Sequence, residues 1–221
     1  MTLAGQRVRI NRDRLRRALI GAALLGSVAG SAWSYTITLN PAAPLTVYLQ
    51  VGVGSFTAIY NNGGQPGNNT TINTVSVTVP TGTVGNGTAQ AMTTNSTAAV
   101  SFIDGFSFCN VPGELYIGGF YRTTGGKTAA ALVTATVPAA LTNAGGNTIP
   151  FSKISWTSGG NGDTGAEPFP SATFINGGVQ NVGSMASNTW NESCWTFSYL
   201  NNTVPPAGTF TGVVRYTLSA P

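Results

Sequence analysis

The chain has 221 residues, ten Lys and Arg, six Asp and Glu, and no His, for a formal net charge of +4. Only 7% of the residues are charged, against roughly a quarter in an ordinary soluble domain. Without His there is no Ser-His-Asp triad, no Cys-His dyad and no His-ligated metal, and two cysteines exclude a four-thiolate zinc site.

The charge is uneven along the chain. Six of the basic residues (Arg7, Arg9, Arg12, Arg14, Arg16 and Arg17) fall in the first 17 positions, opposed there only by Asp13. Residues 18–30 are small or apolar and uncharged, and small residues surround Ser31-Ala32-Trp33-Ser34. A basic start, a short apolar block and a small-residue break describe a secretory signal peptide, assigned to residues 1–34. The apolar block is shorter than the roughly 20 residues of a membrane span, and no later segment is long and apolar enough to span. Cleavage after Ser31, Ala32 or Ser34 fits, with Ser34 preferred. Arg16-Arg17-Ala18-Leu19-Ile20 resembles the twin-arginine export pattern, but ordinary leaders also carry Arg pairs, so both routes stay open. The competing reading of this segment is a basic arm for nucleic acid or membrane.

Removing the leader leaves four basic residues (Arg122, Lys127, Lys153, Arg215) against five acidic ones (Asp104, Glu114, Asp163, Glu167, Glu192), a net charge of −1. Nucleic acid is therefore not an expected partner, because many phosphates must be neutralised by Lys and Arg. The expected location is the periplasm, the cell surface or the extracellular medium.

Residues 35–221 read as strands separated by turn-rich loops, with apolar residues alternating at period two. Tyr35, Ile37 and Leu39 share one face of the first strand. Leu45, Val47, Leu49, Val51 and Val53 line the next, and Val75, Val77 and Val79 another. Leu115, Ile117 and Gly119 alternate with Tyr116, Gly118 and Phe120, so that strand is expected to be covered on both faces. Ala131, Val133 and Ala135 follow, then Trp195, Phe197 and Tyr199, and last Phe210, Gly212, Val214, Tyr216 and Leu218. Gly, Asn, Thr and Pro mark residues 61–71, 81–97, 123–127, 142–148, 157–170 and 176–183 as loops. The pattern predicts an all-β fold: one antiparallel β-sandwich domain over 35–221, Ig-like or pilin-like. Cys109 and Cys194 are the only cysteines, and in an exported chain they are expected to form one disulfide.

Three groups of residues invite a functional reading. The run from Gly159 to Glu167 sets Asn161, Asp163 and Glu167 in a flexible loop with the hard oxygens calcium takes, though without the distant bidentate Glu of a helix-loop-helix site. Trp156, Trp190 and Trp195 with Tyr116 and Tyr121 offer a sugar-stacking platform, but aromatics on strands are more often core, which is the preferred reading, with Trp190 the first candidate among them for exposure. Glu192 and Asp104, each flanked by aromatic residues, are candidate acids, and a glycosidase would need two carboxylates in one cleft. No cofactor is implied.

The end of the chain is its most distinctive run. Pro205-Pro206-Ala207-Gly208-Thr209-Phe210-Thr211-Gly212 leads into an alternating strand that ends at Pro221. These residues resemble the closing strand of chaperone-usher pilus subunits and of spore-coat-U-type secreted proteins. The tail from Tyr216 to Pro221 is also similar to that of WxL cell-wall domains. Pilus subunits carry a Gly fourteenth from the end, matched by Gly208, and a penultimate Tyr, where this chain has Ala220. The resemblance implies a surface sandwich that works with copies of itself or with other surface subunits. In that family a strand is borrowed from a neighbour, and residues 35–40 are either such a donor or the first strand of a self-contained sandwich. The leading expectation is an exported, non-enzymatic structural or surface protein of fimbrial or matrix type. The alternatives are a secreted carbohydrate-binding module, with a glycan as partner, and a small secreted hydrolase.

Overall fold

In the computed structural model, residues 46–54, 56–57, 65–66, 71–123 and 128–221 are described, all of them within the unit Trp33–Pro221. The leader and the strand expected at residues 35–39 lie outside the described residues. The chain order begins with β1 (Thr46–Val51), β2 (Phe56–Thr57), β3 (Gln65–Pro66), β4 (Val75–Ser76), β5 (Gln90–Ala91) and β6 (Thr93–Thr94). There follow β7 (Leu115–Arg122), β8 (Ala131–Val137), β9 (Ala140–Thr142), β10 (Thr148–Pro150) and β11 (Ile154–Gly159). The last four are β12 (Ala172–Thr173), β13 (Gly178–Met185), β14 (Trp190–Tyr199) and β15 (Arg215–Ser219).

Two antiparallel sheets enclose the core. The larger runs β1-β7-β14-β11-β12, with β5 also on β14, and the smaller runs β13-β8-β15. The alternation read in the sequence decides what each strand turns inward. The large sheet contributes Leu115, Ile117 and Tyr121 from β7, Trp195, Phe197 and Tyr199 from β14, and Ile154 and Trp156 from β11. The small sheet answers with Ala131, Val133, Ala135 and Val137 of β8 and Val182 and Met185 of β13. Small side chains on β8 leave room for large rings on β14 and β11. The fold is thus the expected antiparallel sandwich, and β7 is buried at every position. In β1, Leu49 and Val51 pack on the core as expected, whereas Val47 is 42% exposed. Its other face is covered too, because Tyr48 and Gln50 are buried.

Three loops expected from the sequence contain strands, residues 61–71 holding the short β3. Residues 176–183 hold most of β13. Its register on β8 shifts between Asn181 and Gly183, a β-bulge that puts two inward residues, Val182 and Met185, three positions apart. Period-two reading therefore misses it. Gly183 is needed at the bulge: a Cβ there would stand 2.6 Å from the Pro168 carbonyl oxygen. In residues 81–97, β5 and β6 lead into a stretch where Met92, Thr94, Ser96 and Ala98 are buried in alternation. The inward positions are mostly small or polar, so no apolar pattern marks them. Thr94 Oγ1 accepts from the Ser96 amide at 3.0 Å and Ser96 Oγ from the Ala98 amide at 3.2 Å, which satisfies the buried polar groups. Residues 142–148 and 157–170 are also shorter as loops than expected, because β9 pairs with β10 and β11 runs on to Gly159.

One core group lacks a partner. The Tyr121 hydroxyl is buried and makes no hydrogen bond. A buried unsatisfied hydroxyl costs about 1–3 kcal/mol, so Tyr121→Phe is expected to raise stability by about 1 kcal/mol, measured by urea denaturation. A loss of stability would show that the hydroxyl is bonded in solution.

Candidate functional site

The outward face of the large sheet is not a solvent face. Register places Tyr48 of β1 opposite Phe120 of β7, and Phe120 opposite Trp190 of β14. The three rings form a cluster with centroids 5.8, 5.9 and 6.0 Å apart. The Arg122 guanidinium lies 5.5 Å from the centre of the Phe120 ring. One step along the strands, Gln50, Gly118 and Glu192 stand abreast, and Tyr116 pairs with Cys194 beyond them. Tyr116 folds its ring back over Gly118, where a Cβ would stand 2.5 Å from the Tyr116 hydroxyl oxygen.

This fold-back delivers a donor to Glu192. Tyr116 Oη donates to Glu192 Oε2 at 2.7 Å, and Trp190 Nε1 donates to the same oxygen at 2.8 Å. Ser101, from the segment laid over the sheet, bonds the carboxylate as well. That segment is tied down twice more. Cys109 is bonded to Cys194, and Phe108 packs edge-on against Tyr116 at 6.2 Å. The disulfide is thus the expected one, placed outside the main core in a small cluster with Ala98, Phe108 and Tyr116. Ile103 covers the ring cluster.

Burial pushes the Glu192 carboxyl above its ordinary value. The bonds from Tyr116, Trp190 and Ser101 oppose the shift, and the charge of Asp104 adds to it. Burial and the neighbouring Glu192 charge together hold the Tyr116 hydroxyl well above the usual phenol range. Burial lifts Tyr48 to about 12, while its hydroxyl donates to Gln50 Oε1 at 2.7 Å. Asp163 and Glu167 are also raised by burial, and Asp163 adds to the shift of Glu167. A carboxyl raised in the folded state stabilises the fold most when protonated. That stability is complete below the unfolded glutamate value of about 4.3 and is lost as pH rises through the folded value. With no His in the chain, nothing titrating between these carboxyls and neutrality offsets the loss. The melting temperature is therefore expected to fall as pH rises above about 4.3, until these carboxyls are ionised in the folded state, and Glu192→Gln to flatten part of that fall. A rising or level curve for the unaltered protein would contradict the buried-carboxylate account.

Trp190, the one ring held out for ligand stacking, is 8% exposed, because the segment from Ala98 to Cys109 covers that face. Trp156 and Trp195 are buried in the main core, so none of these three offers a face to a sugar. The exposed rings belong instead to Phe102 and Phe106, at 37% and 51%. They sit on a tight tip where the Ser101 amide donates to the Phe106 carbonyl and the Phe106 amide to Asp104 Oδ1. The signal was Phe102-Ile103-Asp104-Gly105-Phe106, an Asp-Gly turn between rings.

The calcium candidate is only partly assembled. Asp163 and Glu167 lie close enough to interact, and Glu167 Oε2 accepts from Ser193 Oγ at 2.7 Å. Asn161 is drawn aside: its carboxamide exchanges hydrogen bonds of 3.1 and 3.2 Å with Asn110, and Nδ2 also donates to the Ser107 carbonyl. Among the described residues the one group of three ligand-type side chains is Cys109, Glu114 and Cys194, and its sulfurs are spent in the disulfide. No helix among the described residues is long and apolar enough to cross a membrane. Comparison with protein-family models, with curated proteins and with solved structures finds no match.

Proposed function

We propose that this chain is an exported, non-enzymatic β-sandwich that serves as a structural component of a bacterial surface or matrix and assembles through an open sheet edge. The observation that carries the reading is the contrast between the two edges of the small sheet. At one edge, β13 is guarded. It is bulged, its Ser184 amide donates to the Pro168 carbonyl, and Gln180 bonds Thr173 and Ile175 through its side chain. At the other edge, β15 pairs with β8 alone among the described residues; it carries no bulge or Pro, and its one charge is the exposed Arg215 at its start. Its inward Tyr216 and Leu218 are only partly buried. Unguarded edges accept further strands. The pilin-like tail, the leader and the buried disulfide support the same reading, since disulfides persist in oxidising compartments.

A strand supplied by a neighbouring subunit would pair with this edge. Glu192 supports a structural role rather than a catalytic one, because Tyr116, Trp190 and Ser101 already occupy its carboxylate. A second reading, a glycan-binding module, is favoured only by the exposed rings of Phe102 and Phe106 beside Asp104. Size-exclusion with light scattering on residues 35–221 tests the first: concentration-dependent self-association is expected, and a strict monomer at all concentrations would overturn it.

A further inference from the structure

We propose that Asn161 is a site of spontaneous backbone modification, converting to aspartate and isoaspartate while the other described Asn-Gly steps persist. The chain contains four such steps, at Asn62, Asn86, Asn161 and Asn176, the first outside the described residues. The chemistry requires the following glycine nitrogen to lose its proton and attack the Asn Cγ. A hydrogen bond from that N–H holds the nitrogen back. The Gly87 amide donates to the Asn201 carbonyl at 2.7 Å, and the Gly177 amide to the Pro138 carbonyl at 3.1 Å. The Gly162 amide has no partner among the described residues, and Gly162 is exposed.

The electrophile is polarised at all three described steps: Asn110 Nδ2 donates to Asn161 Oδ1 at 3.1 Å, Asn201 Nδ2 to Asn86 Oδ1 at 3.1 Å and the Ser152 amide to Asn176 Oδ1 at 2.8 Å, each stabilising the oxygen anion formed on attack, so the difference between the sites lies in the glycine amide. The Gly162 N–Cγ bond forms, the Cγ–Nδ2 bond breaks, and Nδ2 leaves as ammonia, carrying its own two hydrogens and the proton released from Gly162. Water then opens the cyclic imide at either carbonyl, giving aspartate or isoaspartate.

The product has no donor at Nδ2. It loses the bonds to the Ser107 carbonyl and Asn110 Oδ1, and it brings a negative charge beside Asn110, whose amide already binds Glu114 Oε2 at 2.7 Å. The link between the loop after β11 and the segment around Cys109 is thereby loosened with age.

Ageing the whole protein at pH 8 and 37 °C, followed by peptide mass mapping, tests the proposal. Asn161 is expected to gain about 1 Da and to react about tenfold faster than Asn86 or Asn176, the factor set by one hydrogen bond of ordinary net strength. In denaturant with the disulfide reduced, the three sites are expected to react at similar rates. Equal rates in the folded protein, or a slower one at Asn161, would overturn the proposal. So would the same rate order in the denatured chain, because the preference would then lie in local sequence.

Discussion

Replacing Cys109 and Cys194 together by serine is expected to lower the stability of the chain by about 4.5 kcal/mol, the loop-entropy value for a cross-link of this span. The two residues are 85 positions apart, with Cα atoms separated by 5.6 Å, so the bond removes a large share of the unfolded chain's freedom. The loss has a local part as well. The sulfurs are buried against Ala98, Phe108 and Tyr116, and the bond anchors the segment whose Ser101 reaches Glu192. Without it, that segment is held by Ser101, by ring contacts of Phe102 and Phe108 with Tyr116, and by the bonds of Asn161 to Ser107, Phe108 and Asn110. Urea denaturation of the oxidised protein and the double variant measures the global term. Trp190 fluorescence should move towards that of a wetter site before the main transition, since Trp190 depends on the same cover. A change below about 1 kcal/mol would mean that the unfolded chain is already compact around these residues.

The residues that could be read from the sequence were those whose environment follows from their own strand. β7, β8 and β14 declare themselves because apolar side chains alternate over at least five positions and the inward set meets one core. The disulfide was equally legible, since two cysteines allow one intramolecular pairing. β13 was not, because its bulge moves Val182 and Met185 out of phase. The stretch from Met92 to Ala98 was not, because its inward positions carry Thr and Ser that satisfy themselves locally. Trp190 is open between core and platform for a different reason. Alternation assigns it correctly to the outer face of β14, but only a distant segment decides whether that face meets water. Glu192 was flagged as a carboxyl in an apolar setting. Its partner Tyr116 could not be found, since the contact depends on a ring folding over Gly118 on the adjacent strand. Long-range cover is therefore the part of the candidate site that local pattern does not encode.

Trp195→Ala is expected to cost about 3–5 kcal/mol, the range for removing a fully buried large aromatic side chain, against a total of about 5–15 kcal/mol for a domain. Trp195 is fully buried between the sheets. Its ring meets Trp156 at 4.9 Å, Tyr216 at 5.8 Å, Phe197 at 6.0 Å and Phe169 at 6.5 Å. It thus touches β11, β15, its own strand and the loop that follows β11. Its Nε1 donates to the Phe169 carbonyl at 3.0 Å, and Trp156 Nε1 donates to the next carbonyl, Pro170, at 2.9 Å. The two indoles thereby fix successive carbonyls of the loop that closes one end of the core. Trp195→Phe separates the contributions. It keeps a ring but leaves the Phe169 carbonyl without this donor, for a cost of about 1–3 kcal/mol. Denaturant midpoints for both variants decide the matter. If Trp195→Phe costs as much as Trp195→Ala, the hydrogen bond dominates and the packing account fails. If Trp195→Ala costs under about 1 kcal/mol, the sheets close over the vacated space, and the aromatic layer is not what sets their separation.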